Sequence, residues 1–123
     1  MILVDSSVWI DHLRHGNARL AGLLEASEVV THPFVVGELA LGSLKNRRTI
    51  LASLKDLPQA ETATDDEVVD FIERNSLFGA GIGYIDAHLL AAIRLNVGLR
   101  LWTRDKRLAN AADRLGLSSA QMH

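Results

Sequence analysis

Residues 1–12 read Met1-Ile2-Leu3-Val4-Asp5-Ser6-Ser7-Val8-Trp9-Ile10-Asp11-His12. Three aliphatic residues, two of them β-branched, give way at once to an acid and two hydroxyls, the pattern of a short buried strand that ends in polar chemistry. If Ile2 to Val4 run centrally in a parallel sheet, Asp5 stands at the carboxyl end of its strand, where open α/β folds place their ligand crevice. What joins Asp5 there decides the chemistry.

Outward from this strand, helical and extended segments alternate. Val8 to Leu13 and Ala18 to Ala26 read as two short helices split by the turn formers Gly16 and Asn17. Glu28 to Thr31 reads as a second strand, and Pro33 suits the first turn of a helix running from Phe34 to Leu44. A helix over Arg47 to Leu54 stops near Pro58, before a weak third strand at Gln59 to Thr62. Thr64 and Glu67 form a capping box for a helix reaching about Asn75, with Asp65, Asp66 and Glu67 complementing its dipole on a solvated face. Gly79, Gly81 and Gly83 make a flexible loop whose spacing is not that of a phosphate-cradling motif. Tyr84 to Leu95 is a helix apolar almost all round, hence buried. Leu99 to Thr103 gives a fourth strand, Asp105 to Leu115 a last helix, and Leu117 to Ala120 a short edge strand. The alternation predicts an α/β fold: a central parallel sheet of four to five strands, flanked by helices on both faces in three layers and wound by right-handed crossovers.

Composition narrows the function classes. At 123 residues the chain fits one domain spanning 1–123, and 48% apolar with 23% charged residues is ordinary for a soluble globular protein. No apolar run approaches the roughly 20 residues that span a bilayer, and the N-terminal run has neither a basic leader nor a cleavage site, so a cytoplasmic location without membrane contact is expected. The absence of cysteine excludes disulfides, thiolate nucleophiles and Cys-based zinc sites. A net charge of −2 argues against a wholly basic nucleic-acid binder, but six of the thirteen basic residues fall in two clusters, Lys45 with Arg47 and Arg48, and Arg104 with Lys106 and Arg107.

In a parallel sheet with helical crossovers, strand carboxyl ends and helix amino ends share one edge. Asp5 and Asp105 follow strands, Asp86 falls in the first turn of the buried helix, and Glu38 sits one turn into the helix after the second strand. All four should point to that edge. Asp5 and Asp105 also have a plain reading as helix caps, and Asp86 as an acid at a helix start. Glu38 is harder to explain so, because it is flanked by Val35, Val36, Leu39, Ala40 and Leu41 and a carboxylate there needs a partner. No Lys or Arg occurs within one helical turn of Asp5, Glu38 or Asp86. Crowded carboxylates raise one another's pKa unless a cation neutralises them, and a hard divalent ion such as Mg²⁺ does this with oxygen ligands and several waters. Ser6, Ser7 and Thr103 are hydroxyl neighbours able to orient such ligands, with Ser7 equally readable as an N-cap. The chemistry that such a site supports is phosphoryl transfer to water.

Four stretches carry a resemblance: MILVDSSVWIDHLR, HPFVVGELALG around Glu38, GIGYIDAHLLAA around Asp86 and LWTRDKRL around Asp105. In these motifs, in order and over essentially the whole chain, the sequence closely resembles the PIN-domain ribonucleases, and among them the VapC toxins of type II toxin-antitoxin pairs. The resemblance implies that Asp5, Asp86 and Asp105 hold Mg²⁺ or Mn²⁺, that Glu38 completes the site through water or a second ion, and that Thr103 is the hydroxyl of the T-x-D element. It further implies a metal-dependent endoribonuclease acting on structured RNA such as tRNA, a homodimer, and a VapB antitoxin whose tail blocks the acidic groove.

The basic clusters add a physical reason for RNA affinity, with Arg104 and Lys106 beside Asp105 best placed, while Lys45, Arg47 and Arg48 are candidates that read more simply as a solvated loop. His12, His32 and His88 could serve as general bases, but isolated histidines near apolar stretches read as structural, and His88 lies about 200° around the helix from Asp86. Trp9 and Trp102 are too few for a stacking platform and should pack in the core, while Asp11 should pair with Arg14 on a helix surface. Among rival classes, a phospho-acceptor receiver module needs an Asp where the chain has Gln59-Ala60-Glu61-Thr62, and a haloacid-dehalogenase-type phosphatase needs DxD where it has Asp5-Ser6-Ser7. A PIN-like module that only binds RNA or a partner is the third alternative.

Overall fold

The aliphatic triplet does form a strand, β1 (Ile2–Val4), and it takes the middle of the sheet. The computed structural model describes residues 1–122. Strand β2 (Val29–Val30) and strand β3 (Arg100–Trp102) pair with β1 in parallel on either side, with Leu3 opposite both Val30 and Leu101 and Val4 opposite Trp102. Leu3 and Val4 point to opposite faces of the sheet and both are fully buried. Both faces are therefore covered, as a parallel sheet requires.

The two outer rows expected from the sequence contract to single parallel bridges, Thr31 with Gln59 beyond β2 and Leu101 with Ser118 beyond β3. The chain explains both limits. Pro58 offers its carbonyl to Thr31 N–H but has no N–H of its own, and Pro33 turns the chain into a helix two residues after Thr31. On the other side a 3₁₀ turn, Ala120–Met122, ends the extended segment.

Among the described residues the helices are α1 (Ser6–His15), α2 (Ala18–Glu25), α3 (Pro33–Ala40), α4 (Arg47–Asp56), α5 (Asp65–Arg74), α6 (Tyr84–Leu95) and α7 (Lys106–Leu115). Helix α1 begins two residues earlier than its apolar pattern suggests, because Asp5 in extended conformation stands at the N-cap position. This displaces Ser7 from the cap that the sequence also allowed it. Helix α3 ends four residues earlier, where the guanidinium of Arg47 donates to the carbonyls of Ala40 and Gly42 and so satisfies its last turn. Helix α5 has the expected capping box, with Thr64 N–H donating to Glu67 and Glu67 N–H to the Thr64 hydroxyl.

Helix α6 is the buried helix of the sequence reading, with Ala87 to Ile93 all inaccessible, and it packs on α5 and β3. Helix α1 packs on α3, and α3 on α4. Trp9 and Trp102 both lie in the core. No helix among the described residues is long and apolar enough to cross a membrane. Leu101 is fully buried in β3, whereas Val97 projects entirely into solvent. Urea denaturation should therefore show Leu101→Ala costing about 2–5 kcal/mol and Val97→Ala costing within about 0.5 kcal/mol of nothing.

Candidate active site

Because β1 and β3 run in the same direction, their carboxyl ends bring Asp5 and the Thr103–Asp105 corner to one edge of the sheet. The sequence turns from β1 to β2 on one side and later to β3 on the other, so this edge is also the point where strand order reverses. Asp5 is only 5% exposed. Its Oδ2 accepts the hydroxyl hydrogens of Ser7 at 2.8 Å and Thr103 at 2.7 Å. The same two hydroxyl oxygens accept backbone N–H groups, Ser7 from Arg104 at 3.0 Å and Thr103 from Asp105 at 3.0 Å. Each hydroxyl thus spends its one hydrogen on Asp5 and its lone pairs on the β3–α7 corner.

The other three acids are held more lightly. Ser6 donates to Glu38 Oε1 at 3.4 Å, Gly83 N–H to Asp86 Oδ2 at 3.2 Å, and Leu108 N–H to Asp105 Oδ1 at 3.0 Å. Asp105 therefore does cap α7, while Asp5 occupies its cap position without a side-chain cap bond. In all four carboxylates the described hydrogen bonds end on one oxygen and leave the lone pairs of the other unspent. None of the four takes part in an ion pair among the described residues, where the pairs are Asp70 with Arg74, Asp65 with His88 and Asp11 with Arg104.

Their charges act on one another. Burial pushes the Glu38 carboxyl up, and the negative fields of Asp5 and Asp86 push it further, against a small opposing effect of the Ser6 hydroxyl. Asp86 is also pushed up, first by burial and then by Asp5 and Asp105, while the Gly83 N–H holds it down. Four segments far apart in sequence thus share one electrostatic edge. Among the described residues, no three acidic or histidine side chains come together as a group that could hold a metal ion.

The basic residues divide. Arg104 reaches back to Asp11 at 2.6 Å, so Asp11 pairs with Arg104 and not with Arg14, and this ties α1 to the corner after β3. Asn17 also donates to Asp11, and together with Arg104 it holds that carboxyl below its usual range. Arg47 is spent on the end of α3. Lys45, Arg48 and Lys106 remain exposed.

Each proposed histidine has a structural task. His12 Nδ1 accepts Asn17 N–H at 3.0 Å, and His32 Nδ1 accepts Phe34 N–H at 3.0 Å, capping α3. Burial, with a smaller push from His88, brings His32 down to about 4. His88 is buried against Phe34 and Tyr84 and contacts Asp65 Oδ1 at 3.1 Å, so Asp65 does more than face solvent. The sequence held no sign of the Asp11–Arg104 pair, whose members are 93 residues apart.

A groove of about 680 Å³ opens beside Glu38 between α1 and the α3–α4 turn, with Ile10, Leu39, Leu44 and Ile50 on its walls and Arg14 and Lys45 at its rim. The family model of the PIN domain matches residues 2–114, and the chain belongs to that family. It is also similar to Ribonuclease VapC32 from two strains of Mycobacterium tuberculosis, at 50% identity over 121 residues covering 98% of this chain and 98% of each relative.

Raised carboxyls have a definite sign in linkage. Glu38 and Asp86 keep protons in the fold that the unfolded chain has already released, so stability falls as pH rises through their folded values. In chelator at about pH 7, Glu38→Gln and Asp86→Asn should melt above the wild type, and the gain should vanish toward about pH 4. Thermal melts across that range check this; variants less stable than wild type at every pH would mean the charges are not repelling.

Proposed function

We propose that the chain is a single PIN domain, 1–123, acting as a Mg²⁺-dependent endoribonuclease, with Mn²⁺ able to substitute. The observation that carries this reading is that Glu38 and Asp86 are pushed up, first by burial and then by carboxylate neighbours that include Asp5 and Asp105, while none of the four has an ion-pair partner among the described residues. In this reading Asp5, Asp86 and Asp105 hold the ion, and Glu38 completes the site through water or a second ion. A bound divalent ion lowers the pKa of its water and stabilises charge on the attacking and leaving oxygens of a phosphodiester.

The protein's own part is positioning. Ser7 and Thr103 fix one oxygen of Asp5 and so present the other, and Ser6 does the same for Glu38. Lys106 beside the acids and Lys45 and Arg48 farther out would meet RNA phosphates; Arg104 and Arg47, already engaged, would shape the rim.

The likeness to Ribonuclease VapC32 supports a toxin role in a VapBC-type pair in the cytoplasm, with structured RNA such as tRNA as substrate. The apolar groove with basic rim beside Glu38 supports a VapB-type antitoxin as the partner laid against it. A homodimer is part of the same proposal, supported by the half-exposed aromatic rings of Phe34 and Tyr84 on either side of His88.

Purified protein should cut RNA with Mg²⁺ or Mn²⁺ and lose the cutting in chelator, and Asp5→Ala or Asp86→Ala should lower the rate at least about 10²-fold. RNA left intact under every metal, or cut equally by both variants, overturns the reading. Millimolar Mg²⁺ should also raise the melting temperature of the wild type, and the rise should be smaller in Asp86→Asn; equal melting with and without metal would speak against the ion.

A further inference from the structure

We infer that Arg107, which lies on Gly81 beside the acidic edge, contacts the phosphate backbone of the RNA next to the bond that is cut. The inference rests on the nuclease reading above and adds a residue to it.

Arg107 stands in the first turn of α7, two residues past Asp105, and so belongs to the edge that carries the acids. Its side chain is laid against the loop that leads into α6. A Cβ built on Gly81 would come within 2.9 Å of Arg107 Cδ, 3.2 Å of Nη1 and 3.3 Å of Nε, so the guanidinium lies directly over this glycine. Gly81 also has φ +78°, a conformation that L side chains seldom adopt. Two residues on, Gly83 N–H binds Asp86. The same short loop thus locates both a carboxylate of the site and this guanidinium.

What Arg107 leaves undone matters as much. It is exposed, and it makes no hydrogen bond and no ion pair among the described residues. Arg104, Arg47 and Arg114 on the same molecule are all spent, the last on the carbonyls of Asn75 and Ser76. A guanidinium lying over this loop, with its planar fork of donors unused, suits a phosphate oxygen, and its preformed fork loses less freedom per hydrogen bond than a lysine does.

The test uses the full chain and a fluorescein-labelled single-stranded oligoribonucleotide of mixed sequence, with Ca²⁺ in place of Mg²⁺ to read binding and Mg²⁺ to read cutting. Arg107→Ala should weaken binding about five- to tenfold and make the slope of log K against log salt shallower by about 0.7, with an unchanged melting temperature. Arg107→Lys should recover part of the affinity, and Gly81→Ala should lose part of it with Arg107 still present. Arg100→Ala removes the same charge at the start of β3, the opposite edge, and should leave affinity and slope alone.

Binding by Arg107→Ala within twofold of wild type at an unchanged slope overturns the inference, as does an equal loss in Arg100→Ala. Wild-type protein that binds the oligonucleotide but cuts neither it nor bulk tRNA ends the nuclease reading alone, and the comparison of variants still decides Arg107. Wild-type protein that binds no RNA ends both.

Discussion

Negative charge without a counter-charge is the constraint on which this structure turns. Asp5 is buried at the end of the central strand, and burial of a carboxylate is costly unless hydrogen bonds replace its water. Two hydroxyls do so, and both are themselves anchored to the backbone of the β3–α7 corner. That arrangement couples the first strand to the last helix through side chains, across a separation of nearly the whole sequence. Glu38 and Asp86 are then raised, first by their own burial and further by the negative charge of Asp5.

The cations show the same economy from the other side. Several arginines are used as structural ties: Arg104 to Asp11, Arg47 to the end of α3, Arg114 to the end of α5. Each tie joins an element of the acidic edge, or of its groove, to a neighbour. None of them reaches the four acids. These positive charges are thus engaged away from the four acids.

Much of this was legible in the sequence because it follows from local pattern. The aliphatic triplet before Asp5 set the central strand, and the near-continuous apolarity of Ala87 to Ile93, broken only by His88, set the buried helix. Parallel pairing then brought Asp5 and the Thr103–Asp105 corner to one edge. What escaped were features made by tertiary contact. The outer strands shrank to bridges because Pro58, Pro33 and a 3₁₀ turn interrupt segments whose composition alone permits pairing. Asp11 took Arg104 in place of its helical neighbour Arg14, and Arg47 became a helix cap, since both choices depend on chain crossings that no periodicity encodes. The placing of Arg107 on Gly81 is invisible in the same way: a glycine and an arginine 26 positions apart have no sequence signature.

The double duty of Asp105 has an evolutionary corollary. One of its oxygens accepts the Leu108 N–H and starts α7, and an asparagine would offer the same acceptor in the same place, being as good a cap. The negative charge is therefore separable from the scaffold at this position. A lineage could remove that charge by exchanging a single oxygen for nitrogen and still inherit a chain of unaltered shape.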